Sequence, residues 1–240
     1  MAAGERVDDL RRGGLKIIQD PDAPCFAVDA VLLADFALPR AGDAVAELGA
    51  GSGVIALLLA AKQPDCHIRA LELMPRMADL ARRSVALNGL EGRIEIIEGD
   101  MRQAARLLGQ GSCRMVVSNP PYYAAGAGRA NSGELFAAAR SERYCTIGEL
   151  AREAAALLCP QGEFCLIHRA SRLAEVLAAL HAAGLRLQTL RPVQPFAGKP
   201  ANLVLLKALK GGKAETVLPP PLIMYEAPGL YTQEMQSIYG

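Results

Sequence analysis

Short apolar, β-branched runs alternate along this chain with stretches whose apolar positions recur every three or four residues. The first pattern suits strands and the second suits helices packed on one face. Ala44–Leu48 reads as a strand and Val54–Lys62 as a helix. Ile68–Glu72 and Arg93–Ile97 read as strands, each followed by a helical pattern, Met77–Asn88 and Arg102–Leu108. Arg114–Ser118 is a further strand, Ile147–Leu158 a helix, Phe164–His168 a strand, and Arg172–Ala183 a helix that Gly184 stops. Two late runs, Arg186–Arg191 and Asn202–Ala208, pattern as an antiparallel pair. Alternation at this spacing predicts an α/β fold with a doubly wound, mostly parallel sheet, which the final hairpin makes mixed.

The first forty residues break this rhythm. Leu15–Gln19 and Cys25–Val28 read as short strands around an Asp20-Pro21-Asp22 turn, and Asp29 reads as the N-cap of a helix over Ala30–Leu38. They predict a small cap, residues 1–40, packed on a main domain of residues 41–240. Residues 124–146 are rich in Gly, Ala and Ser and carry Arg129, Arg140 and Arg143. They read as one long loop, and long loops inside compact domains are often functional.

Composition narrows the classes. A chain of 240 residues that is 51% hydrophobic buries a sizeable core in one domain. A net charge of +1 argues against a general polyanion binder, so any nucleic acid must be met by a local patch. Cys25, Cys66, Cys113, Cys145, Cys159 and Cys165 form no C-x-x-C pair, and His67, His168 and His181 lie far apart. The expectation is reduced thiols, a cytoplasmic location and no metal site. The polar start, Met1 to Arg12, does not read as a signal peptide, and the longest apolar run, Val54 to Ala61, is too short to span a bilayer. Nothing in the sequence demands more than a monomer.

Candidate chemistry gathers where the predicted strands end. Glu47-Leu48-Gly49-Ala50-Gly51-Ser52-Gly53 crosses a strand-to-helix turn. Glycines there let backbone approach a ligand, and the helix start offers free N–H groups. The G-x-G-x-x-G fingerprint would need glycine where Val54 stands, and no P-loop lysine follows, so the pyrophosphate cradle is absent. The expected ligand is nucleoside-like without a phosphate chain. Glu72, with Leu73 beside it, ends the second strand roughly twenty residues past the glycines, where an acid takes ribose hydroxyls. Asp100 and Met101 follow the third strand, where the acid or its neighbouring backbone can read an adenine edge. Either acid alone is an ordinary loop residue. Together, at successive strand ends, they fit a ligand along the carboxyl edge of the sheet. On this fold such a ligand points to S-adenosylmethionine.

Ser118-Asn119-Pro120-Pro121-Tyr122-Tyr123 is the most informative stretch. Proline fixes φ and lacks an N–H, so the chain leaves the sheet as a stiff, extended segment. The Asn119 side chain and the carbonyls of Asn119 and Pro120 are acceptors, and Tyr122 adds a flat face. That set suits an amino group on a planar ring. The plain alternative is a turn that merely ends a strand. Tyr123 suits loop support as well as substrate contact.

In this order, across roughly residues 44–170, these motifs resemble the class I S-adenosylmethionine-dependent methyltransferases that modify exocyclic or amide nitrogen. The resemblance implies a Rossmann-like, seven-stranded sheet with an antiparallel last strand. It implies a cofactor held by Glu47, Gly49, Ala50, Gly51, Gly53, Glu72, Leu73, Asp100, Met101 and Asn119. It assigns catalysis to Asn119, Pro120, Pro121 and Tyr122, on N6 of adenine, N2 of guanine or a glutamine amide. A glycine motif starting at Glu47 leaves no room in this sequence for the helical domain of the glutamine methylators. No region matches the target-recognition part of DNA adenine methylators. Leu15–Pro21, Cys25–Leu33, Ala139–Tyr144 and the tail from Tyr231 to Gly240 are similar to the bacterial valine-tRNA adenine N6-methyltransferases, although Ser141-Glu142 departs from their pattern. That family implies a tRNA partner and modification of the adenine 3′ of the anticodon. Arg11, Arg12, Lys16, Arg129, Arg140, Arg143 and Lys199 are candidate phosphate contacts, with Arg140 and Arg143 foremost because they sit beside the expected pocket. Asp29 has two open roles, a contact to the methionine ammonium or a helix cap. A non-catalytic subunit that binds S-adenosylmethionine is the reading of another class.

Overall fold

The computed structural model describes residues 4–120, 145–212 and 215–239. The chain opens with an antiparallel hairpin of β1 (Arg6–Asp9) and β2 (Lys16–Gln19), then helix α1 (Val28–Phe36). The alternation follows: β3 (Ala44–Leu48), α2 (Val54–Lys62), β4 (His67–Glu72), α3 (Pro75–Leu87) and β5 (Ile94–Glu98). A 3₁₀ turn, Met101–Gln103, leads into α4 (Ala104–Leu108) and β6 (Cys113–Ser118). Next come α5 (Ile147–Leu157), β7 (Leu158–Arg169), α6 (Leu173–Ala182), β8 (Leu185–Phe196) and β9 (Leu203–Lys210). The described chain ends with β10 (Leu222–Ala227), β11 (Leu230–Tyr231) and α7 (Gln233–Tyr239).

Nine strands form one sheet in the order β11-β10-β8-β9-β7-β6-β3-β4-β5. Strands β3 to β7 run parallel, and β9 lies antiparallel between β7 and β8. Strands β3 to β9 are the expected seven, with the last antiparallel. Beyond that expectation, β10 and β11 extend the sheet past β8. The sequence hides them because Leu222–Ala227 is brief and follows Pro219-Pro220-Pro221, a poor entry into a strand.

Period-two alternation divides the core between the faces. Met115 and Val117 of β6, with Cys165 and Ile167 of β7, pack among residues of α1, α2 and α3. Val116, Phe164 and Leu166 pack instead among residues of α4, α5 and α6. Both faces are buried, so the central strands read as continuous apolar runs.

The cap differs from its sequence reading in two places. Cys25–Val28 is not a strand; β2 pairs with the upstream Arg6–Asp9 instead. The Phe26 N–H donates to the Gln19 side chain rather than to a ladder, at 3.3 Å. The partner strand was missed because Arg-Val-Asp-Asp carries almost no apolar signal. Asp29 is not the N-cap: α1 starts at Val28 with Ala27 at that position, so Asp29 lies in the first turn. There it accepts the Ala30 N–H at 3.0 Å, with its charge near the positive end of the helix. The hairpin docks on α3: Lys16 N donates to Asn88 Oδ1 at 2.9 Å and Ile18 N to Ser84 Oγ at 3.0 Å. Two ion pairs add to this, Glu5 held by both guanidinium nitrogens of Arg83 and buried Asp20 paired with Arg76.

Candidate active site at the carboxyl edge of the sheet

The parallel register brings four strand ends level. Leu48 lies opposite Leu71, Glu72 opposite Glu98, and Glu47 opposite Val117, one residue before Ser118. The glycine turn, Glu72, the Asp100 turn and Asn119 therefore share one edge. The N–H groups of Gly49 and Ala50 both donate to the Leu71 carbonyl at 2.9 Å, which folds the turn back over β4. Gly49 and Gly53 hold φ of +81° and +85°, a region that favours glycine. A Cβ on Gly49 would come within 3.1 Å of Met101 Cε, and one on Gly53 within 3.2 Å of Ala81 Cβ. Met101 is thereby a wall of the turn.

Glu72 is almost fully buried. Its Oε2 accepts the Gly51 N–H at 2.7 Å and its Oε1 the Met74 N–H at 2.8 Å. Burial pushes its pKa up, and the backbone donors oppose that rise. A carboxylate has about four lone-pair sites, so both oxygens keep capacity for a diol. Asp100 is held differently. It accepts the Arg102 backbone N–H at 2.9 Å and pairs with the Arg102 guanidinium at 2.5 Å, which lowers its pKa. With its carboxylate thus engaged, the neighbouring backbone is the better reader of a base edge.

Glu47 is fully buried in β3. One oxygen accepts the N–H of Ala56, in the first turn of α2, at 3.0 Å; the other has no hydrogen-bond partner. An unpartnered buried carboxylate oxygen beside a glycine turn is the observation that fits a cationic ligand group there. Desolvation raises the Glu47 pKa well above the usual carboxylate range, with Glu72 adding to the effect. The sign follows from linkage. A raised folded pKa gives stability that is fully present below the unfolded value and lost as pH rises through the folded one. Glu47→Gln removes that loss. In thermal melts of the ligand-free protein, its Tm relative to wild type is therefore expected to climb across the pH range above the usual carboxylate pKa. A pH-independent difference would show that Glu47 does not titrate in this range.

Asn119 is half-buried and Pro120 buried, directly after β6. Ser118 fixes their height: its buried hydroxyl donates to the Leu48 carbonyl at 2.7 Å, tying the end of β6 to the start of the glycine turn. This clamp between the two motifs is a role that the sequence reading missed; a hydroxyl ending an apolar strand was the available signal. The Arg102 partner of Asp100 was missed as well. Pro121, Tyr122, Tyr123, Arg129, Arg140 and Arg143 lie outside the described residues. His168, whose role the sequence left open, is buried; desolvation and the nearby Arg172 push its pKa down to about 4, so it is neutral near pH 7. Among the described residues no cluster of three or more His, Cys, Asp or Glu could hold a metal ion, and no helix is long and apolar enough to cross a membrane.

Comparison with known proteins adds an independent line. The family model for the methyltransferase small domain matches residues 28–183. A relative from Aeromonas hydrophila named tRNA1(Val) (adenine(37)-N6)-methyltransferase is 32% identical over 85% of this chain and 84% of its own length. The release factor glutamine methyltransferase of Escherichia coli is 38% identical, but over only 44% of this chain and 35% of its own length. A crystal structure of an O-methyltransferase so described from Agrobacterium tumefaciens superposes with a TM-score of 0.71 at 26% identity, covering 88% of this chain and 95% of that one.

Proposed function

The chain belongs to the methyltransferase small-domain family and groups with the tRNA1(Val) adenine N6-methyltransferases, and we propose that it methylates N6 of an adenine in tRNA, the one 3′ of the anticodon in valine tRNA. It is an S-adenosylmethionine-dependent N-methyltransferase of the class I fold. The observation that carries the reading is the juxtaposition of Asn119 with the glycine turn across β6 and β3, clamped by Ser118.

S-adenosylmethionine, when bound, supplies an electrophilic methyl group on a sulfonium. Glu72 is proposed to take the ribose hydroxyls, with Leu73, Asp100 and Met101 around the base. Glu47 is proposed to face the cationic methionine end, with Gly49, Ala50, Gly51 and Gly53 providing close backbone and Asp29 a second negative charge. The exocyclic amine of adenine is a weak nucleophile because its lone pair is delocalised into the ring. Acceptance of its two hydrogens by the Asn119 side chain and the Pro120 carbonyl draws the nitrogen toward sp³ and aims the lone pair at the methyl group. That is positioning and electrostatics, with no general base needed at the start. Pro121 stiffens the segment, and Tyr122 stacks on a base swung out of its own stack. Tyr123, Arg140 and Arg143 are proposed as RNA contacts.

The test is direct. The protein is incubated with methyl-labelled S-adenosylmethionine and bulk tRNA from a host lacking this enzyme, and the RNA is digested to nucleosides. Label in N6-methyladenosine is the expected result. Label in N2-methylguanosine, or no label in the tRNA, would overturn the substrate reading.

A further inference from the structure

The C-terminal strands carry an aromatic array that methyl transfer does not use. Phe196 ends β8 and pairs in register with Tyr225 of β10, their ring centroids 5.7 Å apart. Tyr225 stacks on Tyr231 at 5.0 Å and 18°, and Tyr231 on Tyr239 at 5.3 Å and 16°. Half of the six tyrosines in the chain thus stand in one ladder. The two tyrosine pairs are offset-stacked, whereas the Phe196 ring is tilted by 37° to that of Tyr225. All four residues keep part of their surface open to solvent, which a sealed core would not leave. Phe196 and Tyr239 end the ladder, so each keeps a ring face that no other ladder ring covers.

The ladder starts at the reactive edge of the sheet. Strand β9 runs antiparallel to β7 and β8, and β10 runs parallel to β8. The ends of β8 and β10 therefore point the same way as the end of β6, where Asn119 stands. Across the sheet four strand spacings separate β6 from β10, about 19 Å at ~4.8 Å each, and the register carries Phe196 and Tyr225 six residues beyond the level of Ser118 along the strands. A single strand of RNA with its adenine at Asn119 spans that distance in a few nucleotides. Phe196 also opens an exposed turn in which the Lys199 N–H returns to the Phe196 carbonyl at 3.1 Å, so an ammonium group follows the ring closely in sequence. Local charge is otherwise nearly balanced, since Glu226 is exposed and Glu234 is paired with Arg191.

We propose that the Phe196–Tyr225–Tyr231–Tyr239 ladder is a stacking platform for an unpaired base a few nucleotides from the target adenine, with Lys199 meeting the adjacent phosphate. The inference rests on the RNA substrate proposed above. A net charge of +1 leaves phosphate contacts to local patches, beside which stacking adds affinity that does not depend on charge. One base stacked on an aromatic side chain strengthens binding roughly ten- to a hundredfold, with little dependence on sequence. Single-stranded loops are also where RNA bases are free to stack on protein.

The experiment measures Kd for an unmodified anticodon stem-loop and for a fully paired duplex of the same strand, with wild type, Phe196→Leu, Phe196→Tyr and Tyr239→Phe. Cofactor binding serves as the check on folding. The expected result is roughly tenfold weaker stem-loop binding for Phe196→Leu, little change on the duplex, and near-wild-type binding for the two variants that keep a ring. Unchanged stem-loop binding in folded Phe196→Leu, or equal losses on both RNAs, would overturn the platform. A ladder that fails in an enzyme that does methylate tRNA fails alone. A wild type that methylates no tRNA removes the substrate reading instead.

Discussion

Asn119→Ala is expected to lower the rate of methyl transfer by roughly a thousandfold, while affinity for S-adenosylmethionine stays close to wild type. The size follows from the role. One oriented acceptor facing a group whose charge changes in the transition state is worth about two to three powers of ten, and the side-chain carbonyl of Asn119 is such an acceptor. Truncation should not disturb the frame, because Asn119 lies after β6 and the height of the segment is set by the Ser118 bond to Leu48. Asn119→Asp keeps an acceptor at the same reach and should retain more activity than the alanine variant. Single-turnover rates with saturating cofactor, beside a direct titration of cofactor, separate the two roles. If rate and cofactor affinity fall together in Asn119→Ala, the residue serves the cofactor rather than the acceptor amine. If neither falls, the proline-ended strand is only a turn.

The parallel sheet was legible because both its faces are covered, so β3, β6 and β7 each show a short apolar run, Ala44–Ala46, Met115–Val117 and Phe164–Ile167, between the helices. The strand-end chemistry was legible for a related reason. A parallel sheet sends every carboxyl end to one edge, and local motifs at Glu47–Gly53, Glu72, Asp100 and Asn119 land together without any long-range guess. Contacts between distant, weakly patterned segments were not legible. Strand β1 is polar and exposed, so only its pairing with β2 reveals it. Asp29 sits one turn position away from its sequence reading because α1 begins at Val28, where nothing caps it with a side chain. The Ser118 clamp spans seventy residues and the ladder joins four separate elements. No periodicity announces either of them.

Glu72 supports the second large effect: Glu72→Ala should weaken cofactor binding about a hundredfold. Two contributions combine in that figure. The buried carboxylate already holds the Gly51 and Met74 N–H groups, so its loss loosens the turn that receives the cofactor. It is also the proposed acceptor of both ribose hydroxyls, and hydrogen bonds to an ionised acceptor are the stronger kind. Removing the hydroxyls from the ligand instead of the acid from the protein separates the two. A 2′,3′-dideoxy analogue of S-adenosylhomocysteine should bind wild type at least tenfold more weakly than the parent compound, and Glu72→Ala should barely distinguish them. That non-additivity is the signature of direct contact. If wild type binds both ligands equally, Glu72 is a staple for the turn alone. The ribose must then be held by other residues along the edge, such as the Asp100–Met101 turn, whose Met101 side chain packs beside Gly49.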